Sequence, residues 1–455
     1  MVASAAEPLP LSKSFWQNES FVKSFNGSYR IEARIEPVVS TEVRGVLVEV
    51  QELMKAGKRE DALKKVKDSP LTAKSPALQF NLGNLYFEEG DLDEAQKAFE
   101  AALKEYPSFR RAHRNLGLVM VRKGELKLAL DYLLEAMRLG DSDGTTYGLV
   151  GYCRLQRGEW ASALQAYRMA QLSQPESVQW KSGVAQCLQH LGAELEAVSL
   201  LDEVIRQRPE ESSYSILQAS MLVELEQGER AIKSLELPRR LGRLDGDGLL
   251  FLADLRLRAE QIEAVDALIE EAFAVESEPD ELESDGEEPD ETKPKTTKPS
   301  ESRILSVIAS AMRIKAWKQA GALIEKAQPE EGEASPAIRR ASALLDIESG
   351  RDPEGGAESL RKLIAEQPTD GRALMALGRY LVTKGQTGEA ELLLERAAVV
   401  EETAVDAFVE LARLRVEQRR YKAALDAVDQ ALALRPGGEL QPYREALARL
   451  VEASE

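Results

Sequence analysis

The chain has 455 residues, 43% of them hydrophobic, which is enough apolar surface for a large folded interior. Its 78 acidic residues outnumber its 59 basic residues, so the net charge is −19. That charge argues against nucleic acid as the main partner, because phosphate groups repel an acidic protein. No apolar run approaches the roughly 20 residues of a membrane-spanning helix, so we expect no insertion into a membrane. Two cysteines and two histidines leave little material for a metal site, and we expect no cofactor.

The first eight residues, 1–8, are rich in alanine. They lack the positively charged start and the apolar core of a complete signal peptide. Residues 3–5, however, have the small side chains at the spacing that a signal peptidase requires. We therefore predict the remnant of a signal peptide and a periplasmic location. The alternatives are a disordered alanine-rich tail and a cytoplasmic protein.

Residues 1–42 form a region that we name the N-terminal arm. It concentrates aromatic side chains at Phe15, Trp16, Phe21, Phe25 and Tyr29. Residues 29–37 then alternate apolar and charged side chains, which is the period of a β-strand. A single strand leaves backbone groups unpaired and needs a partner. Three interpretations stay open: the arm packs on the first helices of its own chain, it docks on another protein, or it is disordered.

From residue 43 onward the sequence repeats with a period of about 34 residues. Each unit has two apolar stripes at helical spacing, a breaker between them and often a proline at the end. Small residues recur at two positions of the unit, at Gly83, Gly117 and Gly151 and at Ala95, Ala129 and Ala163. These small side chains predict that the two helices of each unit cross closely.

This pattern resembles the tetratricopeptide repeat family over residues 43–438. The resemblance implies an all-α fold, a right-handed α-solenoid of about eleven helix pairs with a C-terminal capping helix over 440–453. The units are predicted to begin near residues 43, 76, 110, 144, 178, 212, 246, 301, 336, 371 and 405. The units at 212 and 246 are degenerate, since Gly228 comes late and Glu260 occupies the position of the turn glycine.

One interval between units is about 21 residues too long, and the extra residues are acidic. Residues 276–298 hold ten acids, three lysines and few bulky hydrophobic side chains, so they cannot bury enough surface to fold. They act either as a solvated spacer or as a docking segment for a basic partner. After the arm we therefore predict a first repeat block at 43–275, an acidic disordered linker at 276–300 and a second repeat block at 301–455.

The residue types that usually carry catalysis are few here and far apart. His113 and His190 lie more than two units apart, and neither has a cysteine or carboxylate at metal-ligand spacing. Cys153 and Cys187 occupy equivalent positions of adjacent units. Stacked helices hold such positions about 9–10 Å apart, whereas a disulfide needs Cα atoms within about 7 Å. We therefore predict two free thiols and a protein that is not an enzyme.

In tetratricopeptide proteins the first helices of the units line a concave surface that binds ligands. The resemblance implies the following candidate partner-binding residues: Phe80, Asn84, Phe87, Arg111, Arg114, Asn115, Arg122 and Tyr152. The arginines form a basic patch that can hold a carboxylate through bidentate contacts. The patch resembles in part the clamp of chaperone-binding members, although Phe80 stands where that clamp has a lysine. Alternatively, the patch is a solvated helix end that pairs with Glu105 or Glu125.

We therefore expect a non-catalytic scaffold or adaptor that binds protein or peptide partners on its concave surface. Residues 24–37, 109–117 and 143–153 resemble bacterial envelope proteins found with TonB–ExbB–ExbD-type systems. That resemblance implies an envelope assembly. Two alternatives stay open: a structural protein that self-assembles through its arm, and an accessory subunit of an enzyme complex. The partner and the oligomeric state are not predicted.

Overall fold

The computed structural model describes residues 11, 15–16, 36–274, 298–329, 332–438 and 440–454. Over these ranges it is all-helical, with no strand. The helices of the first half are α1 (Thr41–Lys55), α2 (Arg59–Lys67), α3 (Pro76–Glu89), α4 (Leu92–Glu105), α5 (Arg110–Arg122), α6 (Leu126–Arg138), α7 (Gly144–Gln156), α8 (Trp160–Ser173), α9 (Val178–His190), α10 (Glu194–Gln207), α11 (Ser212–Glu224) and α12 (Gly228–Arg240).

The helices of the second half are α13 (Gly246–Arg258), α14 (Val265–Ala274), α15 (Glu301–Arg313), α16 (Trp317–Lys326), α17 (Pro336–Glu348), α18 (Pro353–Glu366), α19 (Gly371–Thr383), α20 (Thr387–Ala398), α21 (Ala404–Glu417), α22 (Tyr421–Leu434) and α23 (Leu440–Ser454). Consecutive helices pack in pairs, α1 with α2 and so on to α21 with α22. Every pair begins within two residues of its predicted position. The all-α fold of eleven helix pairs with a terminal helix is therefore confirmed for the described chain.

Each pair turns through one residue in the left-handed region of backbone conformation. Glycine occupies that position in most pairs, as at Gly90 with a φ of 85°. Glu226, Glu260, Lys315 and Arg419 hold the same conformation, with φ between 58° and 60°. A side chain in this region is strained, so the turn is imposed by the packing of the two helices and not by the residue itself.

The predicted close crossing of the paired helices is also observed. A methyl group added to Gly83 on α3 would lie 2.7 Å from the ring of Phe99 on α4. The ring of Tyr167 on α8 sits against two glycines, Gly151 on α7 and Gly183 on α9, at 2.9 Å and 2.4 Å from such a group. Small residues therefore let a large aromatic ring fill the space within a pair and toward the next.

The helices group into two compact units, residues 1–241 and 242–455. Within the second unit, α13 packs on α15 and α14 packs on α16. The backbone N–H of Ser300 donates to Asp247 at 2.7 Å, and the Gln319 amide donates to Asp266 at 3.0 Å. The helix pairs on the two sides of the acidic segment thus stack directly on each other. Residues 275–297 lie outside the described ranges, so their predicted disorder stays a prediction, as do the region boundaries.

The terminal helix α23 packs on α22, as expected of a cap. Leu447 is buried there with 1% of its surface exposed, and Tyr443 packs beside it. Leu450, which the apolar stripe also predicts to be covered, is 42% exposed. That prediction is wrong for Leu450, which the packing of α23 on α22 does not cover. Among the described helices, none combines the length and the apolar character needed to cross a bilayer.

Candidate functional site

The eight candidate residues lie on three first helices that pack side by side, α3, α5 and α7. Phe80, Asn84 and Phe87 belong to α3. The side-chain amide of Asn115 on α5 donates to the Asn84 Oδ1 atom at 2.8 Å. Tyr152 on α7 bonds with Gln156 of its own helix. We name the residues of α3 and α5 among these eight the concave patch.

Two arginines of α5 extend the amide contact into a chain of polar groups. Arg114 donates from Nε to the Oδ1 atom of Asn115 at 3.3 Å, and its guanidinium lies 3.7 Å from the carboxylate of Asp143. The guanidinium of Arg111 lies 5.5 Å from the ring centre of Phe80. Both arginines are about nine-tenths buried. Their buried charges must be compensated by nearby acceptors, since an unpaired buried charge is strongly unfavourable.

The main compensating group is a residue of the N-terminal arm, Glu36. Its Oε2 atom accepts from Arg111 Nε at 3.1 Å, and its Oε1 atom lies 3.7 Å from Arg110. Glu36 is 2% exposed, four residues before Ser40, which caps α1. Burial raises the pKa of Glu36, while the guanidinium groups of the facing arginines oppose this rise. Arg111 thus pairs with Glu36, whereas Lys123, just after the end of α5, lies 3.7 Å from Glu125, one of the two partners named above in the alternative.

Sequence reasoning does not single out Glu36, which enters only as one charged position of the predicted strand. The signal that could have found it is its charge: an acidic side chain near the start of the repeats faces a basic patch inside an acidic protein. Of the predicted strand, residues 29–37, the structure describes only residues 36 and 37. The strand therefore stays a prediction.

Two aromatic residues of the arm contact the first helices as well. Phe15 is buried, and its ring centre lies 5.4 Å from that of Trp180 on α9. Trp16 lies 5.0 Å from Phe15, and the guanidinium of Arg122 lies 5.8 Å from the Trp16 ring. The same guanidinium lies 4.9 Å from the ring of Phe87. The described arm residues therefore pack on their own chain, as the first of the three interpretations of the arm expects.

The histidines and cysteines take structural roles. The His113 ring nitrogen Nε2 lies 2.8 Å from the Pro107 carbonyl, and His190 stacks on Trp160 at 3.8 Å. Cys153 and Cys187 are buried and free, as predicted, and burial raises the pKa of each thiol to about 12. In the part of the chain that the structure describes, no group of three or more potential ligands is arranged to hold a metal ion.

Three segments, 80–143, 151–212 and 340–407, match a family model described as tetratricopeptide repeat. Similar solved structures include a tetratricopeptide protein from Parabacteroides merdae, with 16% identity over 52% of this chain and 94% of that one and a TM-score of 0.39. The structure of MamA from Desulfovibrio magneticus, residues 41 to the end, shares 19% identity with this chain and has a TM-score of 0.34; the match covers 37% of this chain and 96% of that one. YrrB, described as having an unusual peptide-binding site, shares 22% identity and has a TM-score of 0.34; the match covers 36% of this chain and 85% of that one. The matched segments lie in both structural units and are similar to tetratricopeptide repeats, but together they cover less than half of the chain.

Proposed function

We propose that this protein is a non-catalytic scaffold or adaptor that binds a protein or peptide partner on the concave patch. One observation carries the proposal: two adjacent arginines of α5 hold a carboxylate, that of Glu36, away from water. A guanidinium and a carboxylate form a strong, directional pair when both are desolvated. The patch thus has the chemistry needed to recognise an acidic side chain or a carboxyl terminus.

The neighbouring residues support the arginines of the patch. The amides of Asn84 and Asn115 are buried and hydrogen-bonded to each other, and the Asn115 oxygen also accepts from Arg114. Phe87 lies against the guanidinium of Arg122, and Tyr152 on the neighbouring helix α7 is partly exposed. Aromatic and arginine side chains contribute most of the binding energy at many interfaces. We expect affinity around the micromolar range, or roughly −8 kcal/mol.

The test is affinity purification from the source cells with three baits: the natural chain, Arg111→Glu/Arg114→Glu, and a control. The control, Arg138→Glu/Arg168→Glu, reverses two exposed charges on the second helices α6 and α8. We expect the patch variant to lose the partner at least tenfold while the control keeps it. Equal recovery by all three baits would contradict the proposal.

The patch variant needs a check because its arginines are buried. Circular dichroism and thermal melting report whether the helix pairs still form. A second variant, Tyr152→Glu on α7, introduces a negative charge at a partly exposed position of the neighbouring first helix. It leaves the sequence of the buried arginines unchanged. Loss of the same partner by this second variant supports the proposal even if the first variant is destabilised.

We also propose a place in a bacterial envelope assembly, beside an energy-transducing complex of TonB–ExbB–ExbD type. Its support is the resemblance of residues 109–117 and 143–153 to such envelope proteins. Osmotic-shock fractionation of the source cells tests the location, and we expect recovery with periplasmic markers. Recovery with cytoplasmic markers would contradict this location and leave the binding proposal unaffected.

A further inference from the structure

We infer that the N-terminal arm is an internal ligand of the concave patch, and that an external partner displaces it by presenting the same groups, an adjacent aromatic pair and a separate carboxylate. This inference rests on the proposed function, because it assigns a ligand class and a form of regulation to the same surface.

The first argument is the carboxylate. Glu36 reaches Arg110 and Arg111 in the first turn of α5 and is removed from solvent there. A carboxylate that is desolvated and paired in this way behaves as a bound anion, and the positive end of α5 adds to the attraction. A partner that takes this position is expected to supply an anion of its own, because it would otherwise displace the Glu36 carboxylate from the two guanidinium groups without replacing its charge.

The second argument is the aromatic pair. Phe15 packs edge-on against Trp180, and Trp16 lies against the guanidinium that also faces Phe87. Edge-to-face rings attract each other beyond what their buried area contributes, and a cation over an aromatic face is attracted by the ring electrons. These contacts are of the kind that anchors a peptide in a groove.

The third argument is distance. Glu36 contacts the beginning of α5, and Trp16 contacts Arg122 at its end. Helix rise puts these two ends about 18 Å apart. The nineteen residues between Trp16 and Glu36 give twenty residue-to-residue steps, which can span at most about 66–72 Å. One chain can therefore place both anchors on its own α5 without strain, so a second copy is not required.

Tethering makes the internal ligand effective at modest affinity. A ligand segment that belongs to the same chain as its site can have an effective concentration on the order of millimolar. With a dissociation constant near micromolar for the free segment, the patch is occupied almost all the time. An external peptide of equal affinity then binds on the order of 1,000-fold more weakly than it would to an open patch. An external partner therefore displaces the arm only if it binds the patch with higher affinity or is present at high local concentration.

The test uses the full chain and a fluorescein-labelled synthetic peptide of residues 9–40 as the probe. The released variant is Phe15→Ala/Trp16→Ala/Glu36→Ala in the full chain. The control is Glu42→Lys, which changes an exposed carboxylate at the start of α1. By fluorescence anisotropy we expect the probe to bind the released variant at least tenfold more tightly than the natural chain or the control.

Changes made in the probe leave the folding of the protein untouched. A probe carrying Glu36→Lys should lose binding to the released variant. Adding Arg111→Glu to the released variant should restore binding of this Glu36→Lys probe, since the charges are exchanged. Failure of both the loss and the rescue would overturn the assignment of Glu36 as an anchor.

Three other results would overturn the inference. Equal affinity of the probe for the natural chain and the released variant would mean that the arm does not occupy the patch. No binding to either protein, while the purified partner still depends on Arg111 and Arg114, would refute the internal ligand and keep the proposed function. A natural chain that is dimeric by light scattering, and monomeric once released, would place the arm on a second copy.

Discussion

Among the residues that the structure describes, four with side chains occupy a backbone conformation that favours glycine, and each does so at the turn between paired helices. Glu260 is the example in the second unit, with a φ of 59°. The left-handed conformation costs a residue with a Cβ atom roughly 1–2 kcal/mol, and glycine loses part of this advantage through its greater freedom in the unfolded chain. These turns are therefore held by the packing around them.

The variant Glu260→Gly should raise the stability of the second unit by about 0.5–1 kcal/mol. The reciprocal change, Gly385→Glu, places a side chain into the same conformation, where Gly385 has a φ of 74°. It should lower stability by about the same amount, 0.5–1 kcal/mol. Urea unfolding followed by circular dichroism measures both. A destabilised Glu260→Gly variant would show that the glutamate contributes a contact that outweighs its strain.

At the scale of the helix pair, stability depends on how closely two helices approach. Gly183 on α9 leaves room for the ring of Tyr167 on α8. A methyl group added at position 183 would lie only 2.4 Å from that ring. Gly183→Ala should therefore destabilise the first unit by about 1–3 kcal/mol through overpacking. Gly228→Ala is the control, because nothing lies within 4 Å of a methyl group there, and it should be neutral or slightly stabilising. Thermal melting of the two variants separates crowding from helix propensity.

If overpacking is the cause, replacing the ring of Tyr167 by a smaller side chain should relieve it. The double variant Gly183→Ala/Tyr167→Leu should then lose less stability than the sum of its two single changes. Strict additivity in this cycle would contradict a direct clash between position 183 and the ring.

Neighbouring pairs in the second unit are also joined by a shared carboxylate. Glu391 on α20 accepts from Arg415 at 2.8 Å and from Arg420 at 2.7 Å. Burial acts to raise the pKa of Glu391, but the hydrogen bonds and charges of the two arginines outweigh it, so the pKa is lowered. The ionised form therefore binds the neighbouring pair more tightly than the protonated form does.

Glu391→Gln should cost about 1–2 kcal/mol at neutral pH, in the range of a charged hydrogen bond. A lowered pKa stabilises the fold above the unfolded value of about 4.3, and this contribution disappears as the pH falls through the folded pKa. The difference in stability between the natural chain and the variant should therefore shrink as the pH falls below that unfolded value. Glu389→Gln removes a more exposed ion pair with Arg361 and should cost at most about 0.5 kcal/mol. Urea unfolding across pH 3–7 compares the two variants, and a difference for Glu391→Gln that does not decrease with falling pH would contradict the linkage.

For the whole molecule, the end of the array needs a cover, because each helix pair buries its surface only against its neighbours. Leu447 on α23 provides this cover and is buried, whereas Leu450 on the same helix is exposed. Leu447→Ala should cost about 2–4 kcal/mol, and Leu450→Ala should be nearly neutral. Hydrogen exchange should show faster opening of α21 and α22 in the first variant alone. Equal exchange in both variants would mean that α23 does not act as a cap.

The sequence by itself determined the repeat architecture of this protein. The period of 34 residues, the small side chains at Gly83 and Gly151 and the turn after each first helix are local requirements of a helix pair. Because each pair contacts only its neighbours, these local requirements recur at fixed spacing and can be read without a structure. The assignment of the arginines of α5 to a ligand-facing surface, by contrast, follows from the resemblance to tetratricopeptide proteins and stays a prediction.

Only the tertiary structure decided what that surface contacts and how the array continues past its acidic segment. The pair of Glu36 with Arg111 joins residues 75 positions apart, and no repeat period encodes it. The packing of α13 on α15 likewise depends on surfaces that meet after a long insertion. Such contacts follow from the path of the chain and the matching of buried charges and apolar faces, which a local pattern does not contain.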